Sequence, residues 1–130
     1  MALQGVLRPG FVQIRILDME ESLVHYRDRL GLDFVGKSED GRVYLKAYDE
    51  FDRHSIILRE TDEAGMDVMG FKVSDDSLLD DYARRLSDLG AEVSAVEAGE
   101  QPGVGRRVRF LSPTGHQFDL YADMELSDNG

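Results

Sequence analysis

Three histidines, His25, His54 and His116, are the only imidazoles in this 130-residue chain, and no cysteine accompanies them. Disulfides, thiolate metal sites and cysteine nucleophiles are thereby excluded. Imidazole can ligate a metal or carry protons near neutral pH, but the sequence gives these three little in common. His25 falls between Leu23 and Tyr26 at the edge of a helical segment, while His54 and His116 stand just ahead of two similar strands, as turn histidines that hydrogen-bond backbone. Asp119 is a carboxylate within an apolar strand, sharing a face with Gln117 and Tyr121. Arg15 and Lys72 point to the corresponding face of two other strands, so an ion pair is its expected role.

Other constellations carry less. Arg106, Arg107 and Arg109 form the one basic cluster, and alternation puts Arg107 and Arg109 on one strand face, suited to an internal ion-pair network or an acidic partner surface. Gly99 to Gly105 is glycine-rich but joins two strands, without a helix N-terminus to receive phosphate, and is expected to be a flexible loop. The sequence contains no Gly-x-Ser-x-Gly, no phosphate-binding Gly-x-x-x-x-Gly-Lys-Ser/Thr and no His-Glu-x-x-His. No residue is assigned as catalytic, cofactor-binding or metal-ligating.

The elements that position these groups follow from periodicity. Phe11 to Leu17 alternates Val12, Ile14 and Ile16 with Gln13 and Arg15, a half-buried strand. Asp18 with Glu21 three residues on is a capping box, and Leu23, Tyr26 and Leu30 share one helical face before Gly31. Strands are expected at Asp33 to Lys37, Arg42 to Tyr48 and Ser55 to Arg59, the first two joined through Asp40-Gly41. The same order returns about sixty residues later. Val68 to Val73 matches the first strand and Asp75 stands in the place of Asp18. Leu78, Leu79, Tyr82, Leu86 and Leu89 form a second apolar helix face closed by Gly90. Strands at Glu92 to Glu97, Arg107 to Leu111 and Gln117 to Tyr121 complete the copy. The expected fold is α+β: two βαβββ modules, about residues 10–60 and 67–122, in one domain of residues 1–130, with Glu60 to Asp67 as a short polar connection and 123–130 as an acidic tail.

Composition bounds the partners. The formal net charge is -11, from 26 acidic and 15 basic residues, which repels phosphate backbones and anionic lipid surfaces. The acidic runs Asp18 to Glu21, Asp75 to Asp81 and Asp123 to Asp128 read as helix starts and a solvated tail. No segment reaches the roughly 20 apolar residues of a membrane span, and the N-terminus does not read as a secretion signal. A soluble cytoplasmic protein is expected.

Paired βαβββ units with a strand ending in Asp ahead of a helix, together with the segments RPGFVQIRILDM (Arg8 to Met19), GRVYLKAY (Gly41 to Tyr48), GMDVMGFKV (Gly65 to Val73) and GRRVRFLSPTGHQFDLYAD (Gly105 to Asp123), resemble the vicinal oxygen chelate superfamily of glyoxalases, bleomycin-resistance proteins and extradiol dioxygenases. The likeness is greatest to the N-terminal domain of catechol 2,3-dioxygenases. That resemblance implies two such domains in tandem, with Fe(II) in the second only, opening a catechol ring beside its hydroxyls with molecular oxygen. It also implies four possible ligand positions per domain, which the internal match places at Phe11, Ile57, Val68 and Asp119. Only Asp119 could bind iron, and a two-histidine, one-carboxylate site needs three ligands.

The implied role is therefore the non-metal-binding N-terminal half of such an enzyme, inactive alone, packed on a C-terminal catalytic domain and contributing to a homo-oligomer. An alternative is a free-standing, metal-independent binding protein of the bleomycin-resistance type, against which count the lack of Trp and an aromatic content of 8%. A small dioxygenase or isomerase whose metal site another chain completes would need the three lost ligand positions.

Overall fold

Two runs of alternating apolar residues, each followed by an acidic helix start, produce the same element order twice. The computed structural model describes residues 4–127. In chain order these form β1 (Val6–Ile16), α1 (Met19–Leu23), a π-helical continuation (Val24–Arg29), β2 (Asp33–Lys37), β3 (Val43–Lys46), β4 (Ile56–Glu60), β5 (Gly65–Val73), α2 (Leu78–Asp88), β6 (Val93–Val96), β7 (Arg107–Leu111) and β8 (Gln117–Tyr121). The expected βαβββ repeat is present, in an α+β fold. None of these helices is long and apolar enough to cross a membrane.

The chain divides into two compact units. The first contains Phe11–Asp67 together with residues 125–127. Its strands run in the order β2-β3-β4-β1. β1 and β4 are parallel, Gln13 facing Ile57 and Arg15 facing Arg59, and β3 is antiparallel to β4 with Tyr44 facing Ile57. Ile16, Val43, Leu45 and Leu58 form the core on the helix side, with Met19, Leu23 and Tyr26 packed on it. Asp18 caps the helix, its Oδ1 accepting from the Glu21 N–H at 3.0 Å, while the Glu60 carboxylate accepts from the Met19 N–H at 2.7 Å.

Leu30 departs from expectation. Helical spacing groups it with Leu23 and Tyr26, yet it is 62% exposed. The backbone widens to π winding over Val24–Arg29, and the Leu30 N–H donates to His25 C=O, five residues back. The extra residue in that turn rotates Leu30 off the apolar face. Gly31, with φ +81°, supplies the left-handed residue that reverses the chain, and Leu32 packs on the core in its place.

The second unit contains Val68–Met124 and residues 4–10, with strand order β5-β8-β7-β6. β5 and β8 are parallel, Gly70 facing Asp119; β7 and β8 are antiparallel, Arg109 facing Asp119. Leu79, fully buried, packs with Tyr82, Ala83 and Leu86 on Val73, Val108 and Leu120. Leu89, expected on this face, is 84% exposed because it is the C-cap residue beyond the last helical turn. Asp75 also differs from its expected role. It precedes a turn in which its C=O accepts from Leu78 and its carboxylate from the Ser77 N–H at 2.8 Å, so the helix starts after Ser77.

β1 begins at Val6, ahead of the expected start at Phe11, and its opening residues belong to the second unit. There Gly5 and Ser74 exchange hydrogen bonds at 2.9 and 3.0 Å, and Gly10 lies against the Tyr121 phenol. The expected solvated tail is also bound as far as Ser127. Asp52 and Leu126 form a β-bridge, and Arg53 and Ser127 donate backbone N–H groups to Glu125 and Phe51. The remainder of the tail lies outside the described residues.

Candidate functional site

In each unit the helix covers one sheet face, so alternation puts the other set of side chains on the opposite face. In the first unit these include Phe11, Gln13 and Arg15 on β1, Tyr44 on β3, and Ile57 and Arg59 on β4. In the second they include Val68 and Gly70 on β5, Arg107 and Arg109 on β7, and Asp119 and Tyr121 on β8. The registers make the units equivalent. Ile57 faces Gln13, two residues beyond Phe11, just as Asp119 faces Gly70, two residues beyond Val68. The four matched positions are thus true structural counterparts, all buried: Phe11 3%, Val68 2%, and Ile57 and Asp119 0% exposed.

Three of the four carry hydrocarbon only and offer no electron pair to a metal. The fourth is already engaged. Asp119 Oδ1 and Oδ2 accept from Arg109 Nε at 2.8 Å and Nη2 at 3.1 Å, and Oδ2 lies 3.2 Å from Arg107 Nε. Arg107, itself buried, also pairs with Glu100. Asp119 is therefore an ion-pair partner, as the sequence suggests, with Arg107 and Arg109 among its cations. Among the described residues no group of three or more His, Asp or Glu side chains could hold a metal ion. The residues present do not fit the metal site that the resemblance implies.

Arg15 turns instead to Asp67, at 3.4 Å. Asp67 also receives Arg59 Nε at 2.7 Å and Nη2 at 3.0 Å, and Gln13 Nε2 at 2.8 Å. The Arg59 hydrogen bonds, helped by Gln13 and Arg15, hold its carboxyl below the usual range against the opposing effect of burial. Arg42 extends the network, donating to Gln13 Oε1 at 3.1 Å and to Asp40 at 2.9 Å. Sequence reasoning passes over Asp67 as part of a connection. The signal that identifies it is the pairing of Arg15 with Arg59, two like charges side by side that need an anion.

The histidines separate. His25 is exposed, edge-on to Tyr26 with centroids 4.8 Å apart. His116 sits in the Ser112 turn, its Nδ1 2.9 Å from Thr114 Oγ1. His54, ahead of β4, is fully buried, 4.7 Å from the Tyr44 ring, with Nδ1 2.8 Å from Arg53 Nη1. A guanidinium can only donate, so Nδ1 accepts and a neutral ring carries its proton on Nε2. The expected flexible loop is also packed. Gln101 and Val104 are buried, and Val104 bridges Met124 while the Gly105 N–H donates to Asp123 C=O at 2.8 Å. Arg106 leaves the other two arginines to pair with Asp76 and Asp80, at 3.1 and 2.9 Å. An open apolar groove of about 570 Å³ runs past Leu86, Leu89, Phe110, Leu111 and Pro113 in the second unit.

Residues 66–125 match the family described as the catechol 2,3-dioxygenase-like N-terminal domain. The chain is 52% identical over 124 residues to a metapyrocatechase of Pseudomonas sp. (strain CF600), covering 95% of this chain and 40% of that protein. It is 28% identical over 116 residues to a manganese-dependent 2,3-dihydroxybiphenyl 1,2-dioxygenase of Geobacillus genomosp. 3, covering 89% and 36%. Among solved structures, the 2,3-dioxygenase LapB of Pseudomonas sp. KL28 superposes with a TM-score of 0.95 at 44% identity, over 99% of this chain and 45% of that one. A homoprotocatechuate 2,3-dioxygenase of B. fuscum shares the fold at a TM-score of 0.90 and 23% identity, over 97% and 35%. The chain spans less than half the length of each of these relatives.

Proposed function

We propose that this chain is a catechol 2,3-dioxygenase-like N-terminal domain of the vicinal oxygen chelate superfamily and that it serves as the non-metal-binding half of an extradiol ring-cleaving dioxygenase. In this reading a second domain binds Fe(II) and the catechol, and the ring opens beside its two hydroxyls with molecular oxygen. The present chain contributes architecture, as a packing partner for the catalytic domain and part of a homo-oligomer, in the cytoplasm of a cell that degrades aromatic compounds.

One observation carries the proposal. At 52% identity nearly the whole chain matches a metapyrocatechase, yet it spans only 40% of it, and three of its four ligand positions are hydrocarbon. The net charge of -11 suits a neutral aromatic substrate and a soluble partner better than a polyanion.

The test joins this chain to the C-terminal remainder of the Pseudomonas metapyrocatechase and loads the chimera with ferrous iron under anaerobic conditions. Catechol cleavage, followed by the colour of the ring-opened product, is expected from the chimera and not from the chain alone. Turnover by the chain alone with stoichiometric iron would overturn the proposal.

A further inference from the structure

The registers that equate Ile57 with Asp119 also equate Tyr44 with Arg109, and so Arg42 with Arg107 two residues earlier. Both arginines are buried, at 6% and 2% exposure. Each is held by a nearby carboxylate, Arg42 by Asp40 at 2.9 Å and Arg107 by Glu100. Their other partners differ. Arg107 reaches Asp119, whereas the first unit has Ile57 at that place and Arg42 donates to Gln13 Oε1 instead. The buried cation is common to both units although the carboxylate is not. Burial of a guanidinium is costly unless its charge is answered, and in both units side chains of this chain answer that charge.

We infer that guanidinium groups supply the positive charge of this sheet face in each unit, Arg42 in the first and Arg107 with Arg109 in the second, and that no metal ion is needed there. Asp119, the one ligand-type side chain among the four positions, accepts two hydrogen bonds from Arg109 and faces Arg107 Nε, so its charge is neutralised by the chain itself. The charge of Asp119 is therefore balanced without a divalent cation, and a cation approaching it would meet two positive charges. This holds whether or not the chain functions as half of a dioxygenase.

Two measurements on the chain test it. Thermal unfolding is followed by circular dichroism with a chelator and with millimolar Mn²⁺. The melting temperature is expected to agree within about 1 °C between the two, since no site on this face gains a ligand-linked stabilisation. A rise with Mn²⁺ that disappears in Asp119→Asn would overturn the inference, because it would make Asp119 a metal ligand.

The second is a cycle of Arg109→Met, Asp119→Asn and the double variant. It uses Arg109, whose side chain is 30% exposed, because loss of the buried Arg107 risks preventing folding. Arg109→Met leaves a buried carboxylate short of its main partner and should lower the melting temperature by roughly 10 °C. The double variant should lose clearly less than the sum of the two single losses. Additive losses would show that Asp119 does not depend on the guanidinium, and would refute the assignment.

Discussion

Replacing Gly10 with alanine would push a methyl group into a place already filled. A Cβ built on Gly10 falls 1.7 Å from the Tyr121 Oη, 2.7 Å from Cζ and 2.9 Å from Cε1. Ordinary contact distances are about 3.5 Å or more, so the ring must retreat by well over 1 Å. Tyr121 is 0% exposed and registered between Lys72 and Arg107, which leaves it little room to move. Overpacking of this kind costs about 1–3 kcal/mol, or a fall of roughly 5–10 °C in melting temperature for a domain of this size. Gly10 is not among the glycines with positive φ, so the penalty is steric and a smaller side chain at residue 121 should relieve it. Tyr121→Phe should not, because Cζ remains. Tyr121→Leu should, at its own cost in buried area. Thermal melts of the Gly10→Ala, Tyr121→Leu and double variants give the coupling. A Gly10→Ala chain that melts like the parent, or an additive cycle, would refute the close approach and with it the placing of the first strand residues in the second unit.

Three further outcomes are expected. Asp67 has a folded pKa below its unfolded one, so its contribution is present above the unfolded value of about 3.9 and is lost as pH falls through the folded value; Asp67→Asn should flatten the acid limb of stability against pH, and an unchanged limb would contradict this. Asp18→Ala removes the cap on α1 and should cost about 1 kcal/mol in denaturant unfolding, with the slope unchanged. Leu79→Ala should cost about 2–5 kcal/mol, whereas Leu89→Ser, at 84% exposure, should fall within about 0.5 kcal/mol of the parent; equal effects would mean that the helix face is misassigned.

The repeat and its element order are legible in the sequence because they rest on local signals: alternation in β1 and β5, the cap at Asp18, and turn residues at Asp40-Gly41 and Ser112 to Gly115. Relations between distant residues are not legible in the same way. Periodicity puts Leu30 on the core face because it assumes an α-helical turn throughout, and a single π turn moves it. Alternation starts the first strand at Phe11, yet the strand runs through Gly10, where the missing side chain admits Tyr121, more than a hundred positions along the chain. His54 and His116 look equivalent in sequence, but one is buried against Tyr44 and the other lies in an exposed turn. For the candidate site, residue types alone dismiss three of the four ligand positions, since hydrocarbon side chains cannot coordinate. The cations that neutralise the fourth become visible only through the β7–β8 register, which brings Arg109 opposite Asp119.

The described residues up to Gly10 belong to the unit built from Val68–Met124, and those from Glu125 belong to the unit built from Phe11–Asp67. Each half of the gene thus encodes a small part of the other half's fold. A cut between residues 67 and 68 would separate two polypeptides without separating two folded bodies, since each product would carry a fragment that completes the other and lack one that completes itself. Split halves of this chain are therefore expected to be poor proteins singly and a natural complementation pair when coexpressed.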